Sequence, residues 1–235
     1  MRFASLVVLS YNRMAYLRRS LASLWANTTF PYQLIICDDA SNAETARYVT
    51  DLVTSGQVST ALLNGGHNMG IGTAFNRGAA IAQGHFLVKL DADLEYAPGW
   101  LETVVRLLDE QPKLGCLGMF KYHHQPCNFE DELIADRGDH YEVVDFVGSA
   151  IAMRRQIYDE FGPWRQDEHH FSEDVSFKNK VQAAGHYLGL THEDVITNFG
   201  FGEQHSSLIK VIDWKDGKHT YNIPDPRPLL FGSKR

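Results

Sequence analysis

Cysteine is scarce in this chain. There are 3 in 235 residues, at Cys37, Cys116 and Cys127. An odd count at irregular spacing excludes a disulfide framework and points to a reducing compartment, so a cytoplasmic location is expected. Cys37 lies in the apolar run QLIIC and reads as a small buried hydrophobe. Long apolar runs are missing too. None approaches the roughly 18 residues that crossing a bilayer requires. The opening stretch MRFASLVVLSYN is too short in its apolar part for a signal peptide. No transmembrane segment is therefore expected, while peripheral contact with a membrane stays open.

Positive charge is also in short supply. Lys and Arg number 22 against 29 Asp and Glu, a net charge of -7. The densest basic group, Arg13 to Arg19, is interleaved with Met14, Tyr16 and Leu17 and reads as an amphipathic helix start. Without a basic stripe, a nucleic-acid partner is not expected. Glycine is absent where a dinucleotide-binding oxidoreductase would need it. The first strand runs straight into SYNRMAYL, with no G-x-G-x-x-G. A nucleotidyltransferase would want a glycine-rich, basic loop at the same place.

What is present is an alternation of short apolar runs and helical patterns. Strands are expected at Ala4 to Ser10, Gln33 to Asp39, Val58 to Asn64 and His85 to Asp91. Helices are expected from Arg13 to Trp25, from a cap at Ser41-Asn42 to about Val53, from Gly72 to Gln83 and from Gly99 to Glu110. Continuously apolar strands separated by helices argue for an α/β fold, a mostly parallel central sheet with helices on both faces. The second half is less regular. Strands are expected at Gly115 to Tyr122, Asp145 to Arg155 and His186 to Leu190, and helices at Gln156 to Phe161 and Glu173 to Ala184. The polar stretch from His123 to His140 reads as an irregular loop or lid. Its H-H-Q-P-C segment lacks a second matching pair for zinc.

Open parallel sheets bind ligands beyond the carboxyl ends of their strands. The residues found there are Ser10, Tyr11 and Asn12, then Asp38 and Asp39, then Asn64 to Asn68, then Asp91 and Asp93. Carboxylates gathered at one edge repel one another, and a single Lys89 does not easily neutralise two. A divalent cation is the economical answer, and oxygen donors favour Mg²⁺ or Mn²⁺. In extended chain, Asp91 and Asp93 would point the same way. One of Asp38 and Asp39 is placed to accept an N–H from a base, and Tyr11 to stack on it. Ser172 reads as a helix cap, which gives Glu173 and Asp174 a plain role in a first helical turn. Trp164 suits either an acceptor sugar or the core.

The blocks VVLSYNR, IICDDASN, NMGIGTAFNRGAAIAQG, LDADLEYAPGWL, FVGSAIAMRRQIYDEFGPW and SEDVSFKNKVQAAGH, in this order, resemble the family 2 glycosyltransferases of the GT-A, Rossmann-like fold. The resemblance covers roughly residues 4 to 200. It implies one GT-A domain over residues 1–213, with a nucleotide-sugar-binding half (1–113), an acceptor and catalytic half (114–213) and an irregular tail (214–235). It implies an inverting transfer from a nucleotide-sugar donor to a glycan, lipid-linked or other hydroxyl acceptor. By the same resemblance Ser10, Tyr11, Asn12, Asp39, Asn68, Gly70, Asn76 and Asp91 bind the nucleotide. Asp91 and Asp93 hold the Mn²⁺ or Mg²⁺, and the general base is Asp174, ahead of Glu173. Relatives often add a histidine to the metal; here His192 is the choice, with Asn198 and His205 as alternatives. The competing readings are a catalytically inactive nucleotide- or glycan-binding module and a nucleotidyltransferase.

Overall fold

The computed structural model describes residues 2–119, 132–146, 148–166, 173–199, 212–215 and 218–221. Strands β1 (Ala4–Ser10), β2 (Tyr32–Asp38), β3 (Thr60–Leu63) and β4 (Phe86–Asp91) pair in parallel in the order β3-β2-β1-β4. They alternate with helices α1 (Met14–Asn27), α2 (Ala43–Thr54) and α3 (Ile71–Ile81). Beyond a three-residue strand β5 (Leu94–Tyr96) come α4 (Trp100–Glu110) and β6 (Leu114–Gly118). Next are β7 (Leu133–Asp136), β8 (His140–Val143), β9 (Ala150–Arg154) and the helices α5 (Arg155–Phe161) and α6 (Val175–Ala183). The strands β10 (Tyr187–Thr191) and β11 (Ile196–Asn198) complete the domain. The nine-stranded sheet runs β3-β2-β1-β4-β9-β6-β10-β8-β7, and only β9 and β8 run against the rest.

The period of two along each strand decides which face a side chain joins. Leu6 and Val8 pack with Leu34, Ile36, Val88 and Leu90 under α1, α2 and α4. Val7 and Leu9 turn the other way, with Ile35, Cys37, Leu87 and Ile151, against α3, α5 and α6. Helices thus cover both faces, because alternate residues of strands such as β1 are all apolar enough to bury. Leu17, Leu21 and Leu24 form the buried stripe of α1, and the Asn42 side chain caps α2 by accepting from the Thr45 amide at 2.9 Å. Cys37 and Cys116 are buried free thiols, whereas Cys127 and the rest of the H-H-Q-P-C segment lie outside the described residues.

Three expectations are corrected. The polar 123–140 stretch is not wholly irregular: β7 begins at Leu133 and pairs with β8 as an antiparallel edge hairpin. The strand expected from Asp145 starts at Ala150, after a turn at Gly148-Ser149. The tail expected to be irregular from residue 214 holds a hairpin of β12 (Ile212–Lys215) and β13 (Lys218–Tyr221), with Lys215 opposite Lys218. The intervening Asp216-Gly217 pair is a strong sequence signal for such a two-residue connection.

Candidate functional site

Strand register brings the expected residues to one edge. Leu9 lies opposite Asp91, Ser10 opposite Asp38, and Asp38 opposite Leu63. The loops that follow β1, β2, β3 and β4 therefore leave the sheet side by side. Two of their residues, Asn12 (φ 54°) and Ala40 (φ 66°), hold left-handed backbone conformations that side chains other than glycine's rarely adopt. Strain of this kind gathers where surrounding structure fixes a loop for a purpose. Asn12 is fixed by two bonds across 30 residues: its amide donates to Ser41 Oγ, and its Oδ1 accepts from the Asn42 amide.

The two acids after β2 are fully engaged. Asp38 accepts from the amide and hydroxyl of Ser41 and closes the turn into α2. Asp39, also buried, accepts from the amides of Met69 and Gly70 and from Asn64 Nδ2 at 2.9–3.0 Å. Asn68 Oδ1 accepts from the same Gly70 amide. Both Asp39 oxygens thus organise the 64–70 loop. Ser10 is buried with its Oγ unbonded, and Tyr11 is half-buried beside it.

Asn76 is drawn away from the rim. Its amide donates to the Trp164 carbonyl, and its Oδ1 accepts from the Trp164 amide and the Tyr158 hydroxyl, all at 2.8–2.9 Å. Trp164 itself is buried against Phe75 and Phe177, so the core reading of that residue holds. Asn76 fastens α3 to the segment after Pro163. Gly72, one turn earlier, permits that approach: a Cβ there would stand 1.9 Å from the Arg165 carbonyl oxygen.

The chain turns directly after Asp91, so the pair Asp91–Asp93 is not the extended segment the spacing suggested. Each aspartate instead meets a cation. Lys89, buried within β4, donates to Asp91 Oδ1 and to the Gly148 carbonyl at 2.8 Å. Arg13, just ahead of α1, donates to Asp93 Oδ2 at 2.7 Å. Asp93 also accepts from Asn198 Nδ2 at 3.1 Å, and its carbonyl from the Phe199 amide. Burial and the charge of Asp91 raise the proton affinity of Asp93, opposed by Arg13 and Lys89.

Asn198 reaches Asp93 because β11 pairs antiparallel with β5, placing Asn198 opposite Leu94. His192 does not reach it. Its Nε2 stands 2.9 Å from Asp136 Oδ1 and its ring tilts over Tyr141, on the β7–β8 side of the sheet. His192 thus bonds Asp136 in this structure, and the chain meets Asp93 six residues later, at Asn198. His205 lies outside the described residues. Among the described residues no group of three or more His, Cys, Asp or Glu side chains is gathered for a metal. Two carboxylates as hard oxygen donors still fit Mg²⁺ or Mn²⁺, which commonly complete their shell with water and substrate phosphate.

Glu173 and Asp174 sit in a turn before α6, outside its first turn, and Asp174 makes no side-chain cap bond. Helix capping therefore does not account for them. Their surroundings differ. Burial raises the Glu173 carboxyl to about 7; Lys89 opposes this, and Asp174 and Asp91 add to it. One Glu173 oxygen is buried without a hydrogen-bond partner. Asp174 lies 2.9 Å from the buried Lys178 ammonium, which also pairs with Asp145 and donates to the Phe146 carbonyl. Burial lowers the Lys178 proton affinity, but Asp174 and Asp145 more than offset it. Gly148 leaves room for Asp174: a Cβ there would stand 2.6 Å from Oδ2.

The family model for Glycosyl transferase family 2 matches residues 5–162. The chain is 30% identical over 128 residues to an uncharacterized glycosyltransferase of Haemophilus influenzae, covering 54% of this chain and 40% of that protein. It is 27% identical over 173 residues to a glucosyl-dolichyl phosphate glucuronosyltransferase of Haloferax volcanii, covering 67% and 54%. The chain thus spans 40% and 54% of the length of these two curated relatives. Among solved structures, the mannosyltransferase PcManGT from Pyrobaculum calidifontis, in complex with GDP-Man and Mn²⁺, is similar at a TM-score of 0.65 and 21% identity, over 82% of this chain and 55% of that one. S. aureus TarS 1-349 in complex with UDP-GlcNAc is similar at 0.66 and 17%, over 83% and 58%. At these identities the likeness establishes the GT-A fold.

Proposed function

The chain belongs to glycosyl transferase family 2, and from that premise we propose that it is an inverting glycosyltransferase, moving a sugar from a nucleotide-diphosphate donor to a hydroxyl acceptor. One observation carries the reading: the buried Lys89 donates to Asp91 at the ligand edge of the sheet, and the charges of Lys89 and Asp91 reach both Asp93 and Glu173. Residues 1–113 form the donor half and residues 114–213 the acceptor half. The donor's nucleoside lies in the crevice bordered by Ser10, Tyr11 and Asn12, and Asn68 and Gly70 line its floor. Asp39 shapes that crevice through the 64–70 loop, and Asn76 supports it through Trp164.

Asp91 and Asp93 would hold Mn²⁺ or Mg²⁺ against the diphosphate, with Asn198 beside them. Bound there, the ion supplies Lewis-acid neutralisation of a leaving group that otherwise departs poorly. The acceptor hydroxyl must lose its proton as it attacks, so a carboxylate has to stand within hydrogen-bond reach. The Glu173–Asp174 pair supplies that base. Glu173 has a proton affinity matched to neutral pH, whereas Asp174 stands against the Lys178 ammonium, which favours Glu173. Asp174 is held by Lys178 and lends the pair its second negative charge. The acceptor is a glycan, a lipid-linked sugar or another hydroxyl compound, entering from the side of Gly148. Among the described residues no helix is long and apolar enough to cross a membrane.

Thermal-shift titration with UDP, GDP and dTDP, with and without Mn²⁺, tests the donor site. One nucleotide is expected to stabilise the protein more with Mn²⁺, and Asp91→Ala and Asp93→Ala are each expected to abolish that gain. An undiminished gain in both variants would remove the metal assignment. Nucleotide binding without turnover of any sugar nucleotide, in the presence of Mn²⁺ and varied acceptors, would turn the reading to a binding module.

A further inference from the structure

We infer that Lys89 and Arg13 are resident counter-ions of Asp91 and Asp93, one fixed and one exchangeable, and that both compete with the divalent cation for these carboxylates. The inference rests on the reading of Asp91 and Asp93 as the cation site. It starts from the sequence of β4, FLVKLD, where a lysine interrupts an otherwise apolar buried strand. Residues 87, 89 and 91 share one face of that strand. The Lys89 side chain is 1% exposed and ends between Asp91 and the Gly148 carbonyl. Val7 of β1 and Ile151 of β9 flank it in the sheet, and its charge is spent within the fold rather than on water. A buried ammonium needs a partner, and Asp91 is the carboxylate it bonds.

Arg13 differs in each respect. Its side chain is 36% exposed, it precedes α1 in an irregular segment, and it reaches across 80 residues to Asp93. Its guanidinium lies 5.5 Å from the Tyr16 ring, on the water side of the pair. It can leave Asp93 by side-chain rotation alone, whereas Lys89 is buried beside Asp91.

A positive charge within a few ångströms of a divalent cation lowers its affinity, and partial burial strengthens the effect. With both counter-ions in place the aspartate pair is close to neutral and holds a cation weakly. A nucleoside diphosphate reverses this balance, because its negative charge offsets Lys89 and attracts the released Arg13. The cation and the nucleotide therefore bind as a unit, and the free cation alone binds poorly.

The test is Mn²⁺ binding to the full chain without nucleotide, read from the electron paramagnetic resonance signal of free Mn²⁺. Lys89→Met is expected to bind Mn²⁺ at least about tenfold more tightly than the parent, and Lys89→Arg, which keeps the charge, about as weakly as the parent. Arg13→Gln, at a partly exposed position, is expected to gain about three- to tenfold. Adding UDP or GDP should narrow these differences. If Lys89→Met does not fold by circular dichroism, Arg13→Gln decides alone: tighter binding supports the inference, and equal or weaker binding overturns it. If Mn²⁺ binding is lost in Asp91→Ala yet unchanged in Lys89→Met and Arg13→Gln, the cation site stands and the inference falls. If no protein binds Mn²⁺, with or without nucleotide, both fall.

Discussion

The Asp39 carboxylate and the Gly70 amide meet at 2.9 Å, joining the end of β2 to the start of α3 across 31 residues. With the Met69 amide and Asn64 Nδ2 on the same carboxylate, this one side chain sets the course of the 64–70 loop. Asp39→Ala leaves these donors without their acceptor and is expected to lower stability by about 1.5–3 kcal/mol, measured by urea denaturation. Nucleotide-induced stabilisation is expected to weaken along with it. A variant with unchanged stability but no nucleotide response would instead give Asp39 a direct contact with the base.

Glu173 makes stability and turnover respond to pH in opposite directions. The folded, metal-free protein favours its neutral acid, because burial raises it from 4.5 to about 7. Its stabilising contribution is full below pH 4.5, is lost as pH rises, and is gone above about 7. Glu173→Gln stays neutral throughout and is expected to exceed the parent in stability at pH 8 by something on the order of 3 kcal/mol, with little difference at pH 4.5. Urea denaturation at the two pH values measures this. Attack needs the ionised form, so kcat/KM, which reports the free enzyme, is expected to rise with pH through about 7. Glu173→Gln should lower kcat by about 10²- to 10⁴-fold and remove that rise. A retained acid limb in the variant would assign the proton to Asp174.

His192 pairs with Asp136 rather than with the aspartates after β4. His192→Ala is therefore expected to leave Mn²⁺ affinity in the presence of nucleotide unchanged, whereas Asn198→Ala alters it through Asp93. Calorimetric titration of Mn²⁺ into the nucleotide-saturated protein separates the two. A loss confined to His192→Ala would restore the histidine as a ligand.

The first half of the chain was legible because local rules agree there. Apolar strands, an Asn42 cap and glycine-permitted helix approaches all report on structure within about 30 residues, and the strand ends then line up by register. Asp91 and Asp93 were legible as a charged pair, but not their neutralisation. Arg13 meets Asp93 over 80 residues and Asn198 does so over 105, and nothing in local sequence encodes either distance. Lys89 did carry a signal, a charge inside an apolar strand, though its partners follow only from the fold. The resemblance gives Asn76 to the nucleotide, and in the fold its side-chain amide is used 88 residues away on Trp164. The β7–β8 hairpin is hard to read because each strand has only 4 residues and lies at the sheet edge, where burial does not select the apolar side: Leu133, Ile134 and Val144 are exposed there.

Strand β9 runs against β4, with Ala150 opposite Leu90 and the Ser149 carbonyl accepting from the Asp91 amide. Reversal of a strand exchanges which of its two connections opens onto the ligand edge. Here the incoming residues Gly148 and Ser149 meet Lys89 and Asp91, while the outgoing ones, Arg154 and Arg155, lie at the far end beside Phe86. Variation aimed at changing which hydroxyl compounds are accepted thus belongs ahead of this strand, and the same effort spent behind it would alter only the scaffold.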